Sequence, residues 1–284
     1  MFRQVLVAVD GVDDAAALIR VAAGAAGRLD AGLLLWGVLR PGENRHELEQ
    51  HLHELLRNEA RGCGAFMAVA SADPVQALLD HTEQAPGTLV CVLAEERNAG
   101  APQGSTGFAT AWLRRSNAPT LVIGPQLARS GGAMSWQRMV ACVDASDRGE
   151  RALETASDFA RSSGLELLVA QAVCTGDGVF DRRRTRHYVD ALAQSVYPPA
   201  AAIVLDAVEG PARALYTETN AMDGAILAVA PHGRSGCGAP GAANGRLGSV
   251  TGELIRNSVG PVLVIPEPCP FAFAGPHRPG SVMW

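Results

Sequence analysis

The residues best able to bind an anion lie between two apolar runs near the end of the chain. The first run, Ala225 to Ala230, precedes a glycine-filled segment that begins with HGR at 232–234, and GSVT at 248–251 opens a helical pattern before the second run, Pro261 to Ile265. Both runs are short and β-branched, which is typical of strands in a parallel sheet covered on both faces. Glycines between a strand and a helix let backbone N–H groups approach a phosphate, and the helix dipole favours negative charge there. A second interpretation is that Gly248-Ser249 only starts a helix, since serine is a good N-cap.

Two aspartates, Asp10 and Asp144, each follow an apolar strand pattern. In a doubly wound sheet, ligands bind at the carboxyl ends of strands where adjacent crossovers diverge, so both aspartates lie where a ligand is expected. Each is also suited to cap the helix that follows it. The sequence leaves these two roles open.

Strand and helix patterns alternate along the chain. The predicted strands are Gln4–Val9, Gly32–Leu39, Ala65–Ala70, Thr88–Leu93 and Thr120–Ile123, one beginning near Met139 and another after the next helix, then Ala202–Ala207, Ala225–Ala230 and Pro261–Ile265. The predicted helices include Asp13–Arg28, Glu43–Arg61, Asp73–Glu83, Gly107–Ser116, Asp181–Ser195 and Pro211–Thr219. In the third of these, Asp73 is placed as the N-cap and Pro74 in the first turn. This alternation predicts an α/β fold of two tandem Rossmann-like, doubly wound domains, each a five-stranded mainly parallel sheet flanked by helices.

The second part of the chain repeats the first. MVACVDASDRGERALETA from Met139 parallels VLVAVDGVDDAAALIRVA from Val5, and SVGPVLVIPEP from Ser258 parallels SNAPTLVIGP from Ser116. Repetition at domain length indicates a duplicated domain. We expect a first copy at 1–125, a linker at 126–136 where hydrophobic periodicity is weak, a second copy at 137–268 and an irregular tail at 269–284.

Two segments follow one another near the end of the chain: HGRSG comes after one strand, and GSVTGELIRNSVGPVLVIP runs into the last strand. Together they resemble the universal stress protein family. Nucleotide-binding members of that family carry Gly-x-x-Gly, a nine-residue spacer, and then Gly-Ser or Gly-Thr. This chain has Ala230 where the first glycine is expected, and its spacer from Gly233 to Gly248 is about five residues longer. The extra methyl lies where backbone would approach phosphate, and the longer loop would either reshape or cover the phosphate cradle.

The resemblance, which covers nearly the whole chain, implies regulatory binding of an adenine nucleotide, ATP or AMP, with Mg if the ligand is ATP. Asp144 and Ser146 would contact base and ribose, Val173 would meet adenine through its backbone, and the remaining residues would surround the phosphates. The implied ligand contacts are Asp144, Ser146, Val173, His232, Gly233, Arg234, Gly248, Ser249, Val250 and Thr251. No catalytic residue and no protein-bound metal is expected.

The first copy lacks these features. Glu95 and Glu96 follow its fourth strand, where the family pattern has glycine and histidine, and Thr106-Gly107 stands in place of Gly-Ser. Each carboxylate would repel a phosphate chain by roughly a kcal/mol or more when partly desolvated. Any nucleotide is therefore expected in the second copy.

Composition excludes several classes of function. All twenty-four basic residues are arginine, so a lysine-dependent P-loop, a lysine Schiff base and a Ser–Lys dyad are excluded. A net charge of -5 gives no basic footprint for nucleic acid. With neither a signal peptide pattern nor an apolar run of membrane-spanning length, we expect a cytoplasmic protein with no membrane partner. The histidines His46 and His53 share one helical face with Glu49, but this trio does not have the ligand spacing of a metal site, so a solvated face is the better interpretation.

Two alternative functions stay open. One is an enzyme, either a slow ATP hydrolase or a repurposed small-molecule catalyst, with His232 as its base. The other is a protein-interaction scaffold that binds no nucleotide, which Ala230 and the altered first copy favour. The family resemblance also implies that Thr120–Ile123 pairs with Val262–Ile265 within the chain to form a pseudo-dimer. An unidentified protein partner and a homodimer are further expectations.

Overall fold

The computed structural model describes residues 2–9, 15–39, 42–94, 107–132, 134–174, 179–232 and 247–266. The strands are β1 Gln4–Val9, β2 Gly32–Leu39, β3 Ala65–Ala70, β4 Thr88–Leu93, β5 Thr120–Ile123, β6 Arg138–Cys142, β7 Glu166–Cys174, β8 Ala201–Ala207, β9 Ala225–Val229 and β10 Val262–Val264. The helices are α1 Ala15–Leu29, α2 Arg45–Glu59, α3 Pro74–Gln84, α4 Phe108–Arg115, α5 Pro125–Arg129, α6 Asp147–Ser163, α7 Val179–Ser195, α8 Pro211–Asn220 and α9 Ser249–Asn257.

These ten strands form one sheet in the order β3-β2-β1-β4-β5-β10-β9-β6-β7-β8. The first half (β1 to β5) and the second half (β6 to β10) have the same internal strand order. Neighbouring strands are parallel within each half, and the two halves join through antiparallel pairing of β5 with β10, in which Leu121 lies opposite Leu263. The pairing expected between Thr120–Ile123 and Val262–Ile265 is therefore present within the chain.

Helices cover both faces of the sheet, as its strands require because they are apolar on both sides. The α6 face carries α1, α2, α5, α6 and α7, and the α9 face carries α3, α4, α8 and α9. On the α6 face the hydrophobic core runs across both halves. Phe2 and Phe159 meet there edge to face with ring centroids 5.7 Å apart, and Arg28 donates to the Ser163 carbonyl at 3.2 Å.

The helix ends follow local sequence signals. Asp73 caps α3 by accepting from the Gln76 N–H, as the sequence predicts. At the other end of a helix, α6 stops at Gly164, whose φ of 67° is the left-handed conformation that glycine adopts without strain.

The segment expected to be a linker contains a short helix that the sequence pattern did not indicate. In α5 only Leu127 is buried, so hydrophobic periodicity over five residues is too short to detect. Its position depends on distant contacts: a Cβ at Gly132 would lie 2.5 Å from the Ala17 carbonyl oxygen, and Trp136 is buried against Gly24. None of the helices in the described part of the chain is long and apolar enough to span a bilayer.

Candidate functional site

The carboxyl ends of β6 and β9 lie side by side in the second half of the sheet. The helix that follows β6 covers the α6 face, whereas the helix that follows β9 covers the α9 face. The crossovers therefore diverge between these two strands, which is the position where doubly wound sheets bind ligands.

Asp144 organises the turn between β6 and α6. Its Oδ1 accepts from the Ser146 N–H at 3.2 Å and from the Ser146 hydroxyl at 2.5 Å. Ser146 in turn caps α6 by accepting from the Gly149 N–H at 3.1 Å. A Cβ at Gly149 would lie only 3.0 Å from Asp144 Oδ1, so glycine lets the first turn of the helix pack against this carboxylate. Asp144 therefore does not cap α6 itself. It holds Ser146, the residue that does, and it stands at the carboxyl end of β6.

The first turn of α9 begins beside the end of β9. Gly248 occupies the N-cap position and makes no side-chain capping bond, while its own N–H donates to the Pro231 carbonyl at 2.8 Å. The buried Thr251 hydroxyl donates back to the Ala230 carbonyl at 2.9 Å, which ties the helix to the strand. The helix start is consequently fixed, with backbone N–H groups and the positive end of the dipole at the sheet edge.

His232 lies next to Pro231 at this edge and is partly buried. Burial lowers the pKa of its imidazole, and the positive charge of Arg148 lowers that pKa further. Histidine is therefore mainly neutral at pH 7 here, and the guanidinium of Arg148, in the first turn of α6, is the stronger source of positive charge. The sequence analysis did not identify Arg148, because only the fold brings the first turn of α6 close to residue 232.

A tyrosine links α7 to α6 near the same edge. The Tyr188 hydroxyl donates to Glu150 Oε1 at 2.9 Å. Burial raises the pKa of this phenol, and the hydrogen bond to Glu150 and the negative charges of Glu150, Asp144 and Asp147 raise it further. Tyr188 was also missed from the sequence, where 38 residues separate it from Glu150.

Val173 lies near the end of β7, the strand beside β6, and is buried. Its cross-strand neighbour on β8 is Asp206, which forms an ion pair with Arg182 of α7. The structure therefore brings Asp144, Ser146, Val173, His232 and residues 248–251 to the carboxyl edge of the second half. Among the sequence-predicted residues, Asp10, Glu95, Glu96, Thr106, Gly233 and Arg234 lie outside the described residues.

The described part of this edge combines two kinds of environment. Carboxylates and Arg148 lie around the first turn of α6, whereas His232 and the first backbone N–H groups of α9 lie beside the end of β9. Such a surface can accept hydrogen bonds from hydroxyl and amino groups at one end and hold an anion at the other. Within the described ranges, no group of three or more His, Cys, Asp or Glu side chains is arranged to hold a metal ion.

Comparison with known proteins identifies the fold through solved structures. No family model and no curated protein matches the sequence. A universal stress protein from Archaeoglobus fulgidus DSM 4304 is similar over 93% of this chain and 98% of its own, with 17% identity and a TM-score of 0.62. A putative universal stress protein from Pseudomonas aeruginosa UCBPP-PA14 is similar over 93% of both chains, with 16% identity and a TM-score of 0.60.

A third solved structure, a universal stress protein in complex with cAMP, matches 46% of this chain and 97% of its own, with 19% identity and a TM-score of 0.35. The two full-length likenesses show that this chain has the universal stress protein fold, and no ligand follows from the shorter match. These structural neighbours confirm the resemblance to universal stress proteins that the sequence indicated.

Proposed function

We propose that this chain, which has the universal stress protein fold, is a regulatory protein that binds an adenine nucleotide, ATP or AMP, at the carboxyl edge of its second half. The observation that carries the proposal is the start of α9. Its N-cap is a glycine without a side-chain capping bond, held in place by the Gly248 N–H to Pro231 and Thr251 hydroxyl to Ala230 hydrogen bonds. A fixed helix start, whose first backbone N–H groups have no partner within the helix, favours phosphate.

The charge distribution gives the ligand an orientation. Phosphate would lie at residues 248–251 near Arg148, and the ribose and base would lie towards Asp144, whose carboxylate suits hydroxyl donors. Ser146 would act mainly by holding Asp144, because its hydroxyl is shared between that carboxylate and the Gly149 N–H. Gly233 and Arg234 stay predictions from the sequence.

Binding would alter the surface offered to a protein partner. The first turns of α6 and α9 would both adjoin the ligand, so a nucleotide bridging these helices would favour one arrangement of that edge. If the ligand is ATP, Mg would accompany its phosphates. We also propose the division into a first copy at 1–125 and a second copy at 137–268, which the repeated strand order supports.

The test is calorimetric titration of the purified protein with Mg-ATP and with AMP, using two matched variants. Gly248→Glu places a carboxylate at the proposed phosphate position. Gly107→Glu makes the same substitution at the N-cap of α4, the equivalent helix of the first half. The two glycines have similar conformations, with φ of -56° at Gly248 and -58° at Gly107, so the backbone tolerates glutamate equally at both.

We expect micromolar binding by the parent, loss of binding in folded Gly248→Glu, and unchanged affinity in Gly107→Glu. Equal losses in both variants would contradict a site confined to the second half. No heat and no thermal shift with either nucleotide would reject nucleotide binding and favour the scaffold function, for which Ala230 in place of the family glycine is the supporting observation. Steady release of inorganic phosphate from ATP, lost in His232→Gln, would instead favour the hydrolase.

A further inference from the structure

The sheet ends at two strands, β3 in the first half and β8 in the second. In the part of the chain that the structure describes, each of them has a neighbouring strand on one side only. A strand at the edge of a sheet presents unpaired backbone N–H and C=O groups, to which a strand from another chain can add. Proteins block such an edge with charged side chains or proline, so the residues of the two strands show which edge can pair.

The β3 edge carries none of these blocking residues. Its sequence, AFMAVA, is apolar throughout, and Phe66 and Met67 expose 37% and 40% of their surface. Phe66 is paired with Leu35 of the α6-face core, whereas Met67 is paired with Trp36 of the α9-face core. Large apolar side chains are therefore exposed on both faces of this edge.

The β8 edge is less suited to pairing with its own copy. Asp206 puts a charge on the strand itself, where it is paired with Arg182 of α7. The sequence of α7 has four arginines against two aspartates, and Arg183 and Arg184 are exposed. Two copies that met at β8 would bring these positive helices side by side, and like charges repel.

Helix α2 carries charges of both signs beside the β3 edge. Arg45 Nη1 donates to the Ala68 carbonyl at 2.9 Å, and the His53 ring meets the Phe66 ring edge to face with centroids 6.0 Å apart. Glu49 lies one turn from each of these two α2 residues and forms an ion pair with Arg45 at 3.5 Å. An arginine and a glutamate one turn apart are complementary to the same pair on a helix that runs the opposite way.

We propose that two copies of this chain associate through β3 as a two-fold symmetric dimer, in which the β3 strands pair antiparallel with Ala68 opposite Ala68. A two-fold axis perpendicular to the sheet keeps both α2 helices on one face and makes them antiparallel. Met67 of each copy would then lie opposite Val69 of the other. The interface belongs to the first half, so it does not depend on the proposed nucleotide site.

Arg45 would change partners when the dimer forms. The N–H of Ala68 in the second copy would replace its guanidinium at the Ala68 carbonyl, as pairing of antiparallel strands requires. The released guanidinium would pair with Glu49 of the second copy. Because the axis is two-fold, each such contact occurs twice.

The experiment measures the mass of the full chain by sedimentation equilibrium over a range of concentrations. The mass of the parent should rise from that of one chain towards that of two. Met67→Arg buries a charge between the paired strands and should weaken dimerisation at least about tenfold. Val208→Arg makes the matched change at a residue just after β8 that exposes 74% of its surface, and it should leave dimerisation unchanged.

Arg45→Glu and Glu49→Arg test the charge pairing between the copies. Each variant sets like charges against each other and should weaken self-association at least about tenfold. An equimolar mixture should dimerise, because one chain then presents two glutamates and the other two arginines. A helix that had only lost its internal Arg45–Glu49 ion pair would not be rescued by mixing.

Three results would overturn the proposal: a parent that stays a single chain at every concentration, a Met67→Arg dimer as tight as that of the parent, or a mixture of the two charge variants that stays monomeric. Loss of the dimer in Val208→Arg alone would overturn it in favour of β8. Circular dichroism spectra that match the parent establish that each variant compared is folded.

Discussion

Gly37 in the first half and Gln171 in the second half occupy the same position in their sheets. The β1–β2 register starts at Gln4 beside Gly32 and the β6–β7 register at Arg138 beside Glu166, so each residue is the sixth of its strand. A Cβ at Gly37 would lie 3.0 Å from Leu52 Cδ1 and 3.3 Å from Leu48 Cδ1. Leucines of α2 therefore occupy the space beside Gly37. The second half has Gln171 at this position, and its Oε1 has no hydrogen-bond partner in the described part of the chain.

This difference shows how a duplicated fold diverges. Both halves retain the same strand order and the same caps on the helix that precedes the last strand, α4 or α9. Each of these helices has a glycine at its N-cap and a serine at its C-cap, and the serine N–H donates to a carbonyl of the last turn. The sixth position of the second strand in each half is packed by leucines in the first half and occupied by a polar side chain in the second.

The largest predicted effect concerns whether the halves unfold together. Phe159→Ala removes a fully buried ring that contacts Phe2 across the two halves, and should destabilise the protein by about 3–4 kcal/mol. Because the α6-face core is shared, calorimetry should show one transition shifted down by about 10 °C. Two separated transitions, with only one of them shifted, would mean that the halves are independent.

A smaller effect distinguishes the loops before β5 and β10. At Gly260 a Cβ would lie 2.1 Å from the Ala225 carbonyl oxygen, so Gly260→Ala should cost about 2–3 kcal/mol in thermal unfolding. The first half has Ala118 at the corresponding position. Its matched change, Ala118→Gly, should cost less than about 1 kcal/mol; equal costs would show that the two loops are not distinguished by this contact.

A buried hydrogen bond exists in one half and is replaced by apolar packing in the other. Trp112 Nε1 donates to Thr120 Oγ1 at 2.9 Å, whereas the corresponding residues of the second half are Leu254 and Val262. Thr120→Val leaves the indole N–H without its acceptor and should cost about 1–2 kcal/mol in urea unfolding. Thr120→Ser keeps the hydroxyl and should recover part of this loss; a serine variant no more stable than the valine variant would point to packing instead.

The smallest predicted effect is on the pH dependence of stability, and it is tested at one histidine in each half. Burial lowers the pKa of both His81 and His232, so each binds a proton less readily in the folded state than in the unfolded chain. Neither histidine reduces the free energy of unfolding above the ordinary histidine pKa of 6.5. The free energy of unfolding decreases as the pH falls from there through the lower pKa of the folded state. His81→Gln and His232→Gln should each flatten the unfolding profile between pH 7 and 5.

A phosphate ligand would separate the two histidines. Its negative charge would raise the pKa of His232 and leave His81 unaffected. Saturating AMP should therefore reduce the pH dependence that His232→Gln removes, while the part due to His81 persists. An unchanged profile with bound AMP would place the phosphate away from His232.

Much of this fold could be predicted from local sequence. The bounds of β1 to β5 agree with the apolar runs, because these strands consist mainly of apolar residues and their ends coincide with turn residues. This holds even for the edge strand β3, which is largely exposed. The Asp73 cap was predicted for the same local reason, since the capping group lies within three residues of the N–H that it binds. The antiparallel β5–β10 junction was expected only through family resemblance.

The site was predicted less completely. The sequence placed Asp144, Ser146 and residues 248–251 at the carboxyl edge because each stands at a strand end or a helix start, which sequence patterns locate. Arg148 and Tyr188 were missed, since Arg148 acts on residue 232 and Tyr188 binds a partner 38 residues away.

The sequence by itself determined the alternation of strands and helices, the duplication and the glycine before α9, because periodicity, repetition and capping depend on neighbours along the chain. Only the tertiary structure decided that leucines of α2 pack against Gly37 in the first half, while Gln171 Oε1 in the second half has no hydrogen-bond partner among the described residues. The physical reason is that packing and hydrogen-bond satisfaction depend on which distant side chains arrive at a position. Chain order does not specify that until the helices are placed on the sheet.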